Sequence, residues 1–170
     1  VVLTSRSGKI ARDGQGLASL LQSVLASSAS VQLLASDVSD ASETAAVLQA
    51  AFRGRSQPLQ TVLHAAGLLQ DQLLRSMTTS AVVSVFAPKA VAAAHLSSAT
   101  TLVPLSSLLT FSSVASMIGN LGQANYAATN SYLDALSRAR YARSQGGCSL
   151  QLPMVTGAGM GQQLLDDQRG

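Results

Sequence analysis

A single cysteine, no tryptophan, 4% aromatic residues and 11% charged residues distinguish this 170-residue sequence by what it lacks. One thiol, Cys148, forms no intrachain disulfide and supports no cysteine-based metal site. The two histidines, His64 and His95, stand too far apart in sequence to suggest zinc ligation. Acids are scarce, with Glu43 the only glutamate, so the net charge of +3 reflects missing carboxylates rather than a basic surface. The nearest cluster of cations, Arg138, Arg140 and Arg143, reads as the solvated end of a helix, where the dipole favours positive charge. Nucleic acid is therefore not an expected partner. No run of about 18 uninterrupted apolar residues exists, so no membrane span is expected. The opening VVLTSRSG turns polar after three residues, unlike a signal peptide. It reads as a strand whose partner precedes it, and Val1 in place of Met points to a fragment of a longer chain. Disorder is excluded, because 47% hydrophobic residues with so few charges offset the entropy of ordering.

What is present alternates regularly. Val1 to Thr4 is a β-rich run, and Gln15 to Ser27 carries Leu17, Leu20, Leu21 and Leu25 at helical spacing. Val31 to Ala35 is strand-like and leads into DVSD. Ser39 or Asp40 then caps a helix from Ala41 to about Phe52, with Glu43 placed as a capping-box acid. After Pro58, LQTVLHAAG reads as a buried strand, and a short helix is expected near Asp71 to Met77. The helical stretch from Thr79 to about Leu96 contains Pro88, which predicts a kink or break. LSSLLTFSSV is the next strand, Gln123 to Arg143 a long helix stopped by Gly146 and Gly147, and CSLQLPMV a closing strand. Apolar strands alternating with helices indicate an α/β chain with a doubly wound parallel sheet covered on both faces. Ligands of such sheets bind beyond the carboxyl ends of the strands, here SRSG, DVSD, HAAG, FSSVAS and TGAGMG.

The segment FSSVASMIGNLGQANYAATNSYLDAL holds the most informative constellation. Ser113 ends a strand, Tyr126 follows thirteen residues later, and Asn130 is one helical turn beyond, on the same face. This stretch resembles the catalytic segment of the short-chain dehydrogenase/reductases, and within them the ketoreductase domains of modular polyketide and fatty acid synthases. The wider family carries Lys four residues after the Tyr. Here Asn130 stands there and Lys89 lies upstream, an exchange that resembles the synthase ketoreductases. SRSG, DVSD and HAAG resemble the same family's strand ends, and SLQLPMVTGAGMG its closing strand and nicotinamide loop. The likeness covers nearly all 170 residues and implies a Rossmann-like fold truncated at both ends, a partial NADP-binding ketoreductase domain over residues 1–170.

The resemblance implies roles for four residues. A phenol such as Tyr126 is a reluctant proton donor at equilibrium yet well matched to a developing alkoxide. The ammonium of Lys89 favours tyrosinate character, Ser113 donates to the same substrate oxygen, and Asn130 orients Lys89 or a relay water. His64, at a strand end, is expected to contact backbone rather than act as acid or base. His95 reads as a helix-end residue, and Asp134 as a packing and solubility residue.

For the cofactor, Arg6 between Ser5 and Ser7 follows the first strand with no acid nearby. Arg accommodates the extra phosphate of NADPH where an acid would bind the ribose of NAD. Asp37 and Val38 are expected on the adenine side, and Ala65, Ala66 and Gly67 leave room for the cofactor backbone. The Gly-rich fingerprint is absent, and GQG at Gly14 to Gly16 lacks its strand context. The expected function is NADPH-dependent reduction of a β-ketoacyl thioester borne by an acyl carrier protein, beside other synthase domains. The other reading is a non-catalytic structural half, which has no reason to retain all four residues. A free-standing dehydrogenase is disfavoured by the Lys/Asn exchange. The expected location is the cytoplasm, or an organelle lumen in a eukaryote.

Overall fold

The computed structural model describes residues 1–10, 16–53 and 58–155. Two parallel sheets are present among them. In the first, β1 (Val2–Ser5) pairs with β2 (Gln32–Ala35), Ser5 lying opposite Ala35. In the second, β4 (Ser107–Ser113) lies between β3 (Thr61–His64) and β5 (Gly147–Leu152). Every pairing is parallel, so the strand ends SRSG, DVSD, HAAG and the Ser113 turn all follow carboxyl termini. The single continuous sheet expected from the sequence is thus divided: β1 and β3 do not pair, and no described strand lies between them. TGAGMG lies outside the described residues, as does Gly14.

Helices α1 (Leu17–Leu25) and α2 (Ala41–Phe52) flank β2 in sequence. Asp40 caps α2 as expected, accepting from Ser42 N at 2.8 Å and Glu43 N at 3.0 Å. The reciprocal half of the box is replaced, because Glu43 Oε2 accepts from Asp37 N at 2.7 Å and so fastens the DVSD loop instead. The expected short helix near Asp71 to Met77 is one 3₁₀ turn, Leu74–Ser76.

The proline in the next segment does not break the helix. Helix α3 (Thr79–Phe86) continues through a π turn, Ala87–Val91, into α4 (Ala92–Ala99). Pro88 lacks the N–H that an α-helical ladder requires, and the wider turn absorbs the loss. Thr79–Ala99 is 21 residues of helix with a mean hydropathy of 1.3 over its most apolar stretch, enough by length and composition to cross a membrane. It nevertheless buries Lys89 at its centre and packs against α6, as the core helix of a folded domain does. His95 sits mid-way along α4 rather than at its end, with Nδ1 buried and unpartnered among the described residues.

A short α5 (Ala115–Ile118), not anticipated, follows β4, and α6 (Ala124–Ala142) follows a loop. The core gathers Leu96, Leu105 and Leu108, with Leu59, Val62 and Val103 at its edge. Ala81, Val85, Ala92, Ala93 and Leu133 are fully buried on α3, α4 and α6, α3 packing on α6 and α4 on α2.

The arginine cluster is only partly a solvated helix end. Arg138 and Arg143 are exposed, but Arg140 is 2% exposed. Its Nε donates to Gly146 O at 2.9 Å, and Nη1 to Ser97 Oγ at 3.1 Å and Ser97 O at 3.3 Å. It ties α6 to α4 and to the start of β5. The glycines beyond it serve close approach rather than helix termination, which falls to Ser144 at φ 56°. A Cβ on Gly146 meets Ser106 O at 2.0 Å. Gly146→Ala is therefore expected to destabilise the fold by about 3 kcal/mol, the upper end for overpacking, read from the urea midpoint. An unchanged midpoint contradicts the close packing of this turn on β4.

Candidate active site

The carboxyl end of β4 and the first turns of α6 face the π turn, and three of the four expected residues meet there. Lys89 is 4% exposed, with Nζ 4.6 Å from the centroid of the Tyr126 ring. Burial lowers its amine from 10.5 to about 8, against the opposing pull of the Asp134 carboxylate. The half-buried Tyr126 ring thus supplies a π face to a desolvated ammonium. Asn130 is fully buried one turn on, its Nδ2 donating to Tyr126 O at 2.8 Å. Its Oδ1 has no partner among the described residues, a buried acceptor with unspent capacity.

Ser113 terminates β4 opposite Leu152 of β5, half-buried, with Oγ accepting from Ala115 N at 3.2 Å. Among the described residues no hydrogen bond joins it directly to Lys89, Tyr126 or Asn130. Its neighbour Ser112 makes the link, donating from Oγ to Asn130 O at 3.3 Å.

Sequence reasoning missed what holds α6 in place. Asn125, buried immediately before Tyr126, donates from Nδ2 to Gln70 O at 3.0 Å and Ala81 O at 3.3 Å. The preceding loop is latched by Gln123 Nε2 on Asp71 Oδ2 and by Gln72 N on Gly122 O, both at 2.8 Å. Asn and Gln in the motif were visible, but their partners lie more than forty residues away. His64 makes the backbone contact expected of it, Nε2 meeting Lys89 O at 3.0 Å, and burial lowers its pKa. That bond braces the π turn that carries Lys89.

Asp134 corrects the sequence reading. It is 9% exposed, not a solubility residue, and accepts three side-chain hydrogen bonds. The donors are Ser149 Oγ at 2.6 Å on Oδ1, and Ser116 Oγ and Gln151 Nε2, each at 2.8 Å, on Oδ2. Desolvation opposes these bonds, but together they hold its pKa below the ordinary value.

The residues expected to meet a cofactor lie at the ends of β1, β2 and β3. Gly8 closes the SRSG turn, its N donating to Ser5 O at 3.1 Å, and an added Cβ would stand 3.2 Å from Ala35 N. This close approach leaves Arg6 and Ser7 exposed at the rim, beside the half-buried Ser5. Asp37 Oδ1 accepts from Ser39 N at 2.9 Å and Ser39 Oγ at 2.6 Å, which lowers its pKa, and Arg6 adds a smaller pull. Val38 is half-buried beside it, while Ala65 and Ala66 are exposed and Gly67 half-buried after β3. An exposed cation between hydroxyls after β1, an ionised acceptor after β2 and small residues after β3 are groups that suit a dinucleotide.

Comparison with known proteins bears on the whole chain. The family model described as KR domain matches residues 1–157. Polyketide synthase GfsB of Streptomyces halstedii is 42% identical over 142 residues, covering 84% of this chain and 2% of that protein. The mycoketide-CoA synthase of Mycobacterium tuberculosis is 40% identical over 150 residues, 88% of this chain and 4% of that one. Among solved structures, A-type ketoreductases from a modular polyketide synthase superpose with a TM-score of 0.87 at 32% identity, covering 99% of this chain and 34% of theirs. A ketoreductase domain from the bacillaene assembly line gives 0.81 at 30% identity, covering 99% and 40%. The chain therefore spans a few per cent of the curated synthases and about a third of the solved ketoreductases. On the family match and these likenesses, this chain belongs to the KR-domain family, the ketoreductases of polyketide synthases, and has their Rossmann-like fold.

Proposed function

We propose that the chain forms the catalytic portion of an NADPH-dependent ketoreductase acting on a β-ketoacyl thioester tethered to an acyl carrier protein. The carrying observation is the buried Lys89 ammonium against the Tyr126 ring, with Asn130 one turn away and Ser113 at the adjoining strand end. A structural half gains nothing from a desolvated lysine, whose burial costs stability, whereas a reductase uses its charge. NADPH, when bound, supplies the hydride. Tyr126 delivers a proton to the developing alkoxide, and Ser113 donates a hydrogen bond to the same oxygen. Lys89 holds positive charge beside the phenol, so that charge building on Tyr126 is met in a site of low dielectric. Asn130 Oδ1, unpartnered among the described residues, is the acceptor open to the Lys89 ammonium or to a water that returns a proton to Tyr126.

Arg6, with Ser5 and Ser7, would hold the additional phosphate; Asp37 and Val38 would meet the adenine, and Ala65, Ala66 and Gly67 would admit the cofactor backbone. The carrier protein and neighbouring synthase domains are the proposed partners, supported by relatives that are themselves synthases. The test is turnover of a simple 3-ketoacyl thioester with NADPH and with NADH, in a chain of the solved relatives' length that carries this sequence. Arg6→Ala is expected to raise KM for NADPH at least about tenfold and to leave KM for NADH within about twofold, since only NADPH presents the phosphate. Equal effects on both cofactors refute the assignment.

A further inference from the structure

The Lys89 ammonium rests on the Tyr126 ring face, a contact that attracts without fixing a direction. Where Nζ lies is therefore set by the backbone that carries it, the π turn Ala87–Val91. That turn interrupts a 21-residue helical rod: Pro88 has no N–H to donate, and the wider turn replaces the ordinary ladder. Ala92 N bonds to Ala87 O and to Lys89 O as the turn ends. The remaining lone pair of Lys89 O meets His64 Nε2 at 3.0 Å, from a residue 25 positions upstream. A carbonyl only accepts, so Nε2 is the ring nitrogen that carries the proton of this bond. His64 is buried at the carboxyl end of β3, paired with Thr110 of β4, so the donor stands on the sheet rather than on a loop. Ala65, Ala66 and Gly67 follow it directly.

We propose that His64 is a positioning residue of the reductase, whose Nε2–H clamps the Lys89 carbonyl and thereby sets the ammonium against Tyr126. The proposal rests on the reductase reading above. One hydrogen bond then joins the strand end proposed to admit the cofactor to the turn that carries the ammonium. In this role the imidazole acts through Lys89 and transfers no proton. Burial lowers its pKa and favours the neutral ring, on which the proton of this bond is the only one. A purely structural histidine would stabilise the fold, and its loss would not be read in the rate of the molecules that remain folded.

His64→Leu and His64→Gln, made in a ketoreductase chain of the solved relatives' length that carries this sequence, separate the two roles. Leucine fills the space without a donor, whereas the glutamine amide reaches about as far as Nε2 and donates. His64→Leu is expected to lower kcat at least about tenfold with KM for NADPH within about threefold, because the loss is in orientation at the reacting centre. His64→Gln should bring kcat back to within about threefold of the parent. On a Lys89→Met background, His64→Leu should cost less than about twofold more, since no ammonium remains to be positioned. A His64→Leu chain with kcat within about twofold of the parent overturns the proposal. So does His64→Gln no faster than His64→Leu, or a full tenfold loss repeated on Lys89→Met. Should the substitutions fail to fold, nitrogen NMR of the unaltered chain decides, with His64 assigned through its backbone. A neutral ring protonated at Nε2 is expected, and one protonated at Nδ1 cannot hold the Lys89 carbonyl and overturns the proposal. Tyr126→Phe in the same preparation separates the two readings: an active Tyr126→Phe removes the reductase assignment itself, whereas an inactive one confines any failure to His64.

Discussion

Tyr126→Phe is expected to lower kcat for a 3-ketoacyl thioester at least about 100-fold while leaving NADPH affinity within about threefold. The substitution removes one hydroxyl and keeps the ring. The Lys89 ammonium retains the π face it lies against, 4.6 Å from the ring centroid, so the buried charge is not stranded. The bonds that set the start of α6 are made by Asn125 and Gln123 and do not involve the phenol. What is lost acts on the substrate oxygen in the transition state and contributes little to holding the cofactor. Steady-state kinetics with fluorescence titration of NADPH separates these quantities. Retention of more than about a tenth of the turnover excludes a general acid of ordinary strength at this position.

Lys89→Met is expected to remove activity to a similar extent and yet leave the fold at least as stable. Lysine at this site is 4% exposed and its amine is lowered from 10.5 to about 8, so the charged form is the costly one. Because the folded value lies below the unfolded value, the unfolded chain binds more protons between about pH 8 and 10.5. Stability of the parent protein therefore rises with pH through that window, while any step that needs the protonated amine fades. Methionine fills comparable volume without a charge, so the rise should vanish and Tm at pH 7 should hold or increase. Thermal melts at pH 7 and pH 10, beside kcat, check both halves. A large fall in Tm with activity retained contradicts the placing of Lys89 in the chemistry.

Most of the architecture was legible because the strands and every helix but the short α5 declare themselves locally. The Leu17, Leu20, Leu21, Leu25 stripe, the Asp40 cap and the apolar strands are short-range signals, and the elements lie within a few residues of their expected bounds. What escaped depends on contacts distant in sequence. Arg140 reads as a surface cation until Ser97 and Gly146 are seen to satisfy it, and Asp134 reads as a solubilising acid until Ser116, Ser149 and Gln151 surround it. Pro88 predicts a break by its missing N–H, and only the helix on both sides shows that a π turn accommodates it. The spacing of Ser113, Tyr126 and Asn130 was readable since one strand end and one helix carry all three. That Lys89 lies over the Tyr126 ring was not, because two separate helices must pack to bring them together.

The most direct test of the reductase assignment follows the hydride itself. A chain of the solved relatives' length carrying this sequence is given a 3-ketoacyl thioester and NADPH deuterated at the transferring position of the nicotinamide ring, and the product is read by mass spectrometry. The account predicts a 3-hydroxyacyl thioester heavier by one mass unit, with the deuterium on the carbinol carbon and none of this product from Tyr126→Phe. A folded, NADPH-binding chain that returns the ketone unreduced would contradict it and leave the non-catalytic half as the reading of this domain.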